Sequence, residues 1–74
     1  MERGFMTIYI ETEYITLSQF LKLAYLIMSG GEAKMFLGTH KILVNGIEDN
    51  RRGRKLYDGD EVNVQGKKYQ IRHK

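Results

Sequence analysis

Apolar and polar residues alternate from Thr7 to Glu11, with Ile8 and Ile10 on one face and Thr7, Tyr9 and Glu11 on the other. That two-residue period predicts a half-buried first strand. The period changes at Thr16-Leu17-Ser18-Gln19, which has the spacing of a capping box. Behind it Leu17, Phe20, Leu21 and Ala24 fall three and four apart, so a helix starts at about Leu17 with Ser18, Gln19 and Lys22 facing outward. Its end is undefined, because Tyr25-Leu26-Ile27-Met28 offers no Gly or Pro to stop it. Ser29-Gly30-Gly31-Glu32 repeats the capping-box spacing and predicts a sharp turn into a second helix, with Ala33, Phe36 and Leu37 buried and Gly38-Thr39-His40 closing it. Ile42-Leu43-Val44 reads as a strand and Asn45-Gly46 as a hairpin turn, with the return strand near Ile47. Asp49 to Lys55 reads as polar loop, Leu56 as a buried anchor and Tyr57-Asp58-Gly59-Asp60 as a turn. Val62 and Val64 point inward, Gln65-Gly66-Lys67 turns, and Tyr69 with Ile71 marks a last strand. The pattern predicts an α+β fold, two short helices packed on a small, mostly antiparallel sheet, as one domain over residues 1–74 without repeat or linker.

At 74 residues, the core is small. The chain has no cysteine, which removes disulfides, thiolate metal sites and thiol nucleophiles. The longest apolar stretch, Leu23 to Met28, falls far short of the roughly 20 residues of a membrane span. Met1 to Phe5 lacks the basic-then-apolar order of a secretory signal, so a cytoplasmic protein with no membrane partner is expected. The net charge of +3 is unevenly spread. Residues 1–50 carry four Lys and Arg against six Asp and Glu, whereas residues 51–74 carry eight against three. Positive potential concentrated on one part of a small domain favours polyanionic partners.

Four cations stand within five residues at Arg51, Arg52, Arg54 and Lys55. Guanidinium forks match phosphate oxygens two at a time, and Gly53 leaves the backbone open to close approach. The competing reading is a solvated turn with a charge run. Free amides at the helix start of Ser29, Gly30 and Gly31 suggest a phosphate seat, against a capped helix hairpin with no ligand. Tyr57 and Tyr69 could stack on a splayed base, but both alternate with polar neighbours, which predicts buried or half-buried sheet positions. Catalytic chemistry finds little support. His40 and His73 lack metal-ligand spacing, Ser18 and Ser29 read as helix caps, and Gly30-Gly31 lacks the length and following Lys-Ser/Thr of a nucleotide loop. Asp58 and Asp60 beside Gly59 are turn residues, two carboxylates being too few for a tight cation site. No enzyme activity, metal or cofactor is expected.

Four segments in order resemble the S4 RNA-binding domain, or alpha-L motif: Leu17 to Ala24, Ser29-Gly30-Gly31-Glu32-Ala33, Ile42-Leu43-Val44-Asn45-Gly46, and Leu56-Tyr57-Asp58-Gly59-Asp60-Glu61-Val62. The core of the match covers about residues 16–65. The Gly-Gly-Glu-Ala-Lys turn and the Arg-Arg-Gly-Arg-Lys run are similar to small standalone bacterial proteins of the YaaA and YbcJ type. The resemblance implies that the helix pair and a following loop form one basic RNA-facing surface. Lys34 then holds the basic position of the second helix, and Lys41 opens a strand on the same side. The chain departs from the pattern at Thr16 and Ser18, where many members have Arg and Asp, at Gly30, where an Arg is common, and at Tyr25 and His40, where Gly is usual. Losing helix arginines shifts the load to the loop cations.

The resulting expectation is a monomeric, non-enzymatic module that grips structured RNA, ribosomal RNA included, and associates with the ribosome. Ser29, Gly30, Gly31, Lys34, Lys41, Arg51, Arg52, Arg54 and Lys55 are its contact residues. The alternatives are an adaptor whose arginines dock an acidic protein in a ribosomal or replication complex, and a DNA binder. The expectation fails if the arginines lie opposite Lys34, or if Glu48, Asp49 and Asp58 tie them up.

Overall fold

The computed structural model describes residues 5–74. The reading of the first residues against a secretory signal falls mostly on 1–4 and lies outside the described residues. Strand β1 (Met6–Ile10) is followed by the short β2 (Tyr14–Thr16), helix α1 (Leu17–Leu23), a 3-10 turn at Gly30–Glu32 and helix α2 (Ala33–Thr39). Strands β3 (Ile42–Val44), β4 (Ile47–Glu48), β5 (Lys55–Tyr57), β6 (Glu61–Val64) and β7 (Lys67–His73) complete the chain. The main sheet has the order β1-β7-β6-β3-β4, antiparallel except where β1 runs parallel to β7. Strands β2 and β5 form a separate antiparallel ribbon.

Helices of seven residues are too short to persist alone, so α1 and α2 depend on the sheet they cover. Leu17, Phe20 and Leu21 of α1 and Ala33 and Leu37 of α2 bury against Ile42, Val44, Val62, Val64, Tyr69 and Ile71. Phe20 meets the Tyr69 ring edge to face, with centroids 5.1 Å apart. Val62 and Val64 alternate inward as expected, and Leu56 is fully buried. Asn45-Gly46 and Gln65-Gly66 both place two consecutive residues at positive φ, the turn that matches strand twist in a two-residue hairpin.

The capping box at α1 is present: Thr16 Oγ1 accepts from the Gln19 amide at 3.2 Å, and Gln19 Oε1 accepts from the Thr16 amide at 2.8 Å. The undefined end of α1 is a Schellman motif. The Tyr25 amide donates to Lys22 O at 3.0 Å and the Leu26 amide to Leu21 O at 2.9 Å, which holds Tyr25 at φ +60°. A tyrosine thus does the work usually given to glycine.

Three expectations need correction. The second capping box does not form: Ser29 makes no side-chain cap bond, and Glu32 Oε1 accepts from the Met28 amide instead, at 3.1 Å. The glycine pair disfavours α-helix, so the chain passes through the 3-10 turn and α2 begins only at Ala33. Lys55 is not loop but the first residue of β5, whose partner β2 is too short to show a sequence period. Tyr57 is exposed, because the β2–β5 ribbon turns only Ile15 and Leu56 toward the core; Tyr69 is buried as expected.

Candidate nucleic-acid interface

The loop between β4 and β5 folds around Asp49, the one buried charged side chain among the described residues. Its Oδ1 accepts from the backbone amide and the Nε of Arg51 at 3.0 and 3.1 Å, and its Oδ2 accepts from Arg51 Nη2 and Arg54 Nη1, both at 2.8 Å. Four donors on one carboxylate offset the cost of burying it. The Arg51 side-chain bonds lead in holding the Asp49 carboxyl well below the usual carboxylate range, against the opposing effect of burial, with help from the Arg51 amide and from Arg54. In return, the carboxylate raises the Arg51 guanidinium.

The backbone of the same loop docks onto α1. The Leu17 amide donates to Arg54 O at 2.8 Å and the Ser18 amide to Arg52 O at 3.1 Å. Together with the Thr16 cap, these bonds use the first three amides of the helix, so the α1 terminus offers no phosphate seat. Loop carbonyls turned toward the helix leave the cationic side chains to line its outer surface.

That surface has two hollows. One is lined by Lys34, Leu37 and Gly38 of α2 together with Asn50 and Arg52. The other is lined by Arg51, Gly53, Arg54, Lys55, Tyr57 and Asp60. Lys34 and Arg52 therefore share one hollow, while Arg51 and Arg54 line the other, without Lys34. The condition on neighbouring acids is met only in part. Of the three acids named, Asp49 engages Arg51 and Arg54; Glu48 pairs with neither, and Asp58 pairs with Arg72 at 3.6 Å. Among the described residues no acid pairs with Lys34, Lys41, Arg52 or Lys55. Arg51 and Arg54 each spend two donors, Arg54 giving its Nε to Lys55 O at 3.3 Å. A guanidinium has five N–H donors, so three remain on each. Asp49 fixes these side chains without exhausting them.

The profile of the S4 domain family matches residues 8–72. The chain belongs to the S4 domain family. A probable ribosome maturation protein RlbA of Bacillus subtilis (strain 168) is similar to it, 65% identical over 57 residues that make up 77% of this chain and 80% of that protein. The match reaches beyond the 16–65 core expected from the sequence to include most of β1 and most of β7.

Within this S4 domain the remaining sequence candidates are dispersed. Lys41 is exposed just ahead of β3, and Ser29, Gly30 and Gly31 are exposed ahead of α2; none lines either hollow. Groups weighed for catalysis have structural partners. His40 stacks on Phe36 at 3.9 Å with its Nδ1 3.1 Å from Phe36 O. Asp58 Oδ1 accepts from the His73 amide at 2.7 Å, and Asp60 accepts from Asn45 Nδ2 at 3.1 Å and the Tyr57 amide at 2.8 Å. Thr16, not Ser18, supplies the hydroxyl cap of α1. No helix among the described residues is long and apolar enough to cross a membrane. Sequence reasoning missed Asp49 as an organiser and Asn50 and Tyr14 as neighbours of the cations. An aspartate two residues ahead of Arg51 fits an Asx turn, which is the available signal for Asp49.

Proposed function

We propose that this S4 domain, as one unit over residues 1–74, is a non-enzymatic, cytoplasmic RNA-binding module that grips the phosphate backbone of structured RNA, with ribosomal RNA as its natural target. The observation that carries the reading is the shared hollow of Lys34 and Arg52, flanked by a loop in which Asp49 holds Arg51 and Arg54 in place. Fixed guanidinium groups lose less side-chain freedom on meeting a phosphate than mobile ones do. Lys55 extends the cationic face along β5, and Lys41 with the exposed turn of Ser29, Gly30 and Gly31 would supply contacts outside the two hollows. The Bacillus relative is named a probable ribosome maturation protein, which supports a ribosomal target. Readout follows backbone and contour, since double-stranded RNA hides its base edges in a deep groove. No cofactor enters this function, and the module acts as a monomer.

Affinity capture of the tagged chain with and without ribonuclease tests the proposal. The expected result is co-purification of RNA and loss of associated ribosomal proteins after nuclease treatment. Partners that persist without RNA contradict the proposal and favour an adaptor for acidic proteins. Stronger competition by DNA than by RNA of the same sequence also contradicts it.

A further inference from the structure

The outward face of the β2–β5 ribbon carries two tyrosines that the phosphate grip leaves unexplained. Tyr14 and Tyr57 are directly opposed in the ladder, with ring centroids 5.7 Å apart and planes inclined by 48°. Cross-strand aromatic pairs stabilise ribbons, which accounts for their contact with each other but not for their exposure to solvent. Both rings remain exposed, at 37% and 43%. Lys55, diagonal to Tyr14 in the register, holds its Nζ 4.8 Å from the centre of the Tyr14 ring. Tyr57 also lines the hollow that Arg51, Gly53, Arg54 and Lys55 open toward solvent. The one acid on that lining, Asp60, has both carboxylate oxygens hydrogen-bonded, to Asn45 and to the Tyr57 amide, which holds it in place, and three cations on the same lining outnumber it.

We propose that the Tyr14–Tyr57 pair is a stacking platform for one unpaired nucleotide of the bound RNA, whose base lies on the Tyr57 ring while its phosphate meets Arg54 and Lys55. This rests on the RNA-binding reading above and adds the feature of the RNA that is recognised, a bulged or single-stranded nucleotide flanking a helix. Aromatic faces accept any base, so the platform selects for an unpaired nucleotide and not for sequence. The adjoining cations make the hollow a nucleotide site, because a stacked base brings its own phosphate within reach of them.

The test is fluorescence anisotropy with two labelled RNA hairpins that differ only by a one-nucleotide bulge. The full chain is expected to bind the bulged hairpin about tenfold more tightly. Tyr57→Leu is expected to bring the ratio of the two affinities close to one, and Tyr57→Phe, which keeps the ring, to retain it. A thermal melt of each variant shows whether it is folded, and Tyr14→Leu gives a second measurement should Tyr57→Leu unfold. Equal affinity of the unsubstituted chain for both hairpins, or a ratio unchanged by loss of the ring, overturns the platform and leaves the phosphate grip standing. Failure to bind either hairpin overturns both.

Discussion

Asp49 shows how one residue converts a run of like charges into a built surface. Arg51 and Arg54 would repel each other across a flexible loop; a buried carboxylate between them fixes both and leaves the three groups with one net positive charge. Replacing Asp49 by Ala removes the common acceptor and is expected to cost on the order of 1–2 kcal/mol, allowing for solvent screening at Arg51, as measured by urea unfolding. The pH dependence has a definite sign. A carboxyl whose pKa is depressed by folding contributes stability above its unfolded value, about 3.9, and loses that contribution as pH falls below it toward the depressed value. The Asp49 contribution is therefore expected to be level between pH 8 and 5 and to decline only below about pH 4, seen as a difference between the parent chain and Asp49→Asn in unfolding at successive pH values. Tyr25 is a second residue with a marked energetic role. At φ +60° a side chain with Cβ is strained, so Tyr25→Gly is expected to stabilise the fold by about 1 kcal/mol, read as a rise in Tm. An unchanged or lower Tm would contradict the strain assignment.

At the scale of elements, the sequence predicts best where periodicity and turn chemistry act locally. The alternation of Val62 and Val64, the Asn45-Gly46 hairpin and the Thr16 cap all appear where the chain alone indicates them, because each needs only neighbours within a few residues. The β2–β5 ribbon was not legible. Its two three-residue strands carry no period of their own and exist because Ile15 and Leu56 meet in the core. The second capping box fails for the opposite reason: its spacing is right, but the glycine pair lets the Glu32 carboxylate accept from the Met28 amide instead. Leu56 is the element-level test. Leu56→Ala in a fully buried site is expected to cost about 3 kcal/mol and to loosen the ribbon that aims Lys55 and Tyr57, which amide exchange at Ile15 and at position 56 would report.

For the whole molecule, the question is whether RNA affinity depends on net charge or on charge placement. The sequence located the cations, and the four S4 segments implied a helix-plus-loop face, but the partition of those cations was not legible. Which arginine is spent on Asp49 and which shares a hollow with Lys34 depends on how the loop docks to α1 through the carbonyls of Arg52 and Arg54, a contact between residues more than thirty positions apart. Two doubly substituted chains with equal net charge separate the possibilities. Lys34→Ala with Arg52→Ala empties the shared hollow. Arg72→Ala with Lys74→Ala removes two cations that pair with Asp58 and Glu11 at the C-terminal end of the chain.

The most direct measurement is the slope of log affinity against log salt for a structured ribosomal RNA fragment, taken for the parent chain and both double variants. Each phosphate contact contributes about 0.7–0.9 to that slope, so the Lys34 and Arg52 variant is expected to lose roughly 1.5 while the Arg72 and Lys74 variant stays close to the parent. Equal losses in both variants, or an unchanged slope without Lys34 and Arg52, would contradict a placed phosphate grip.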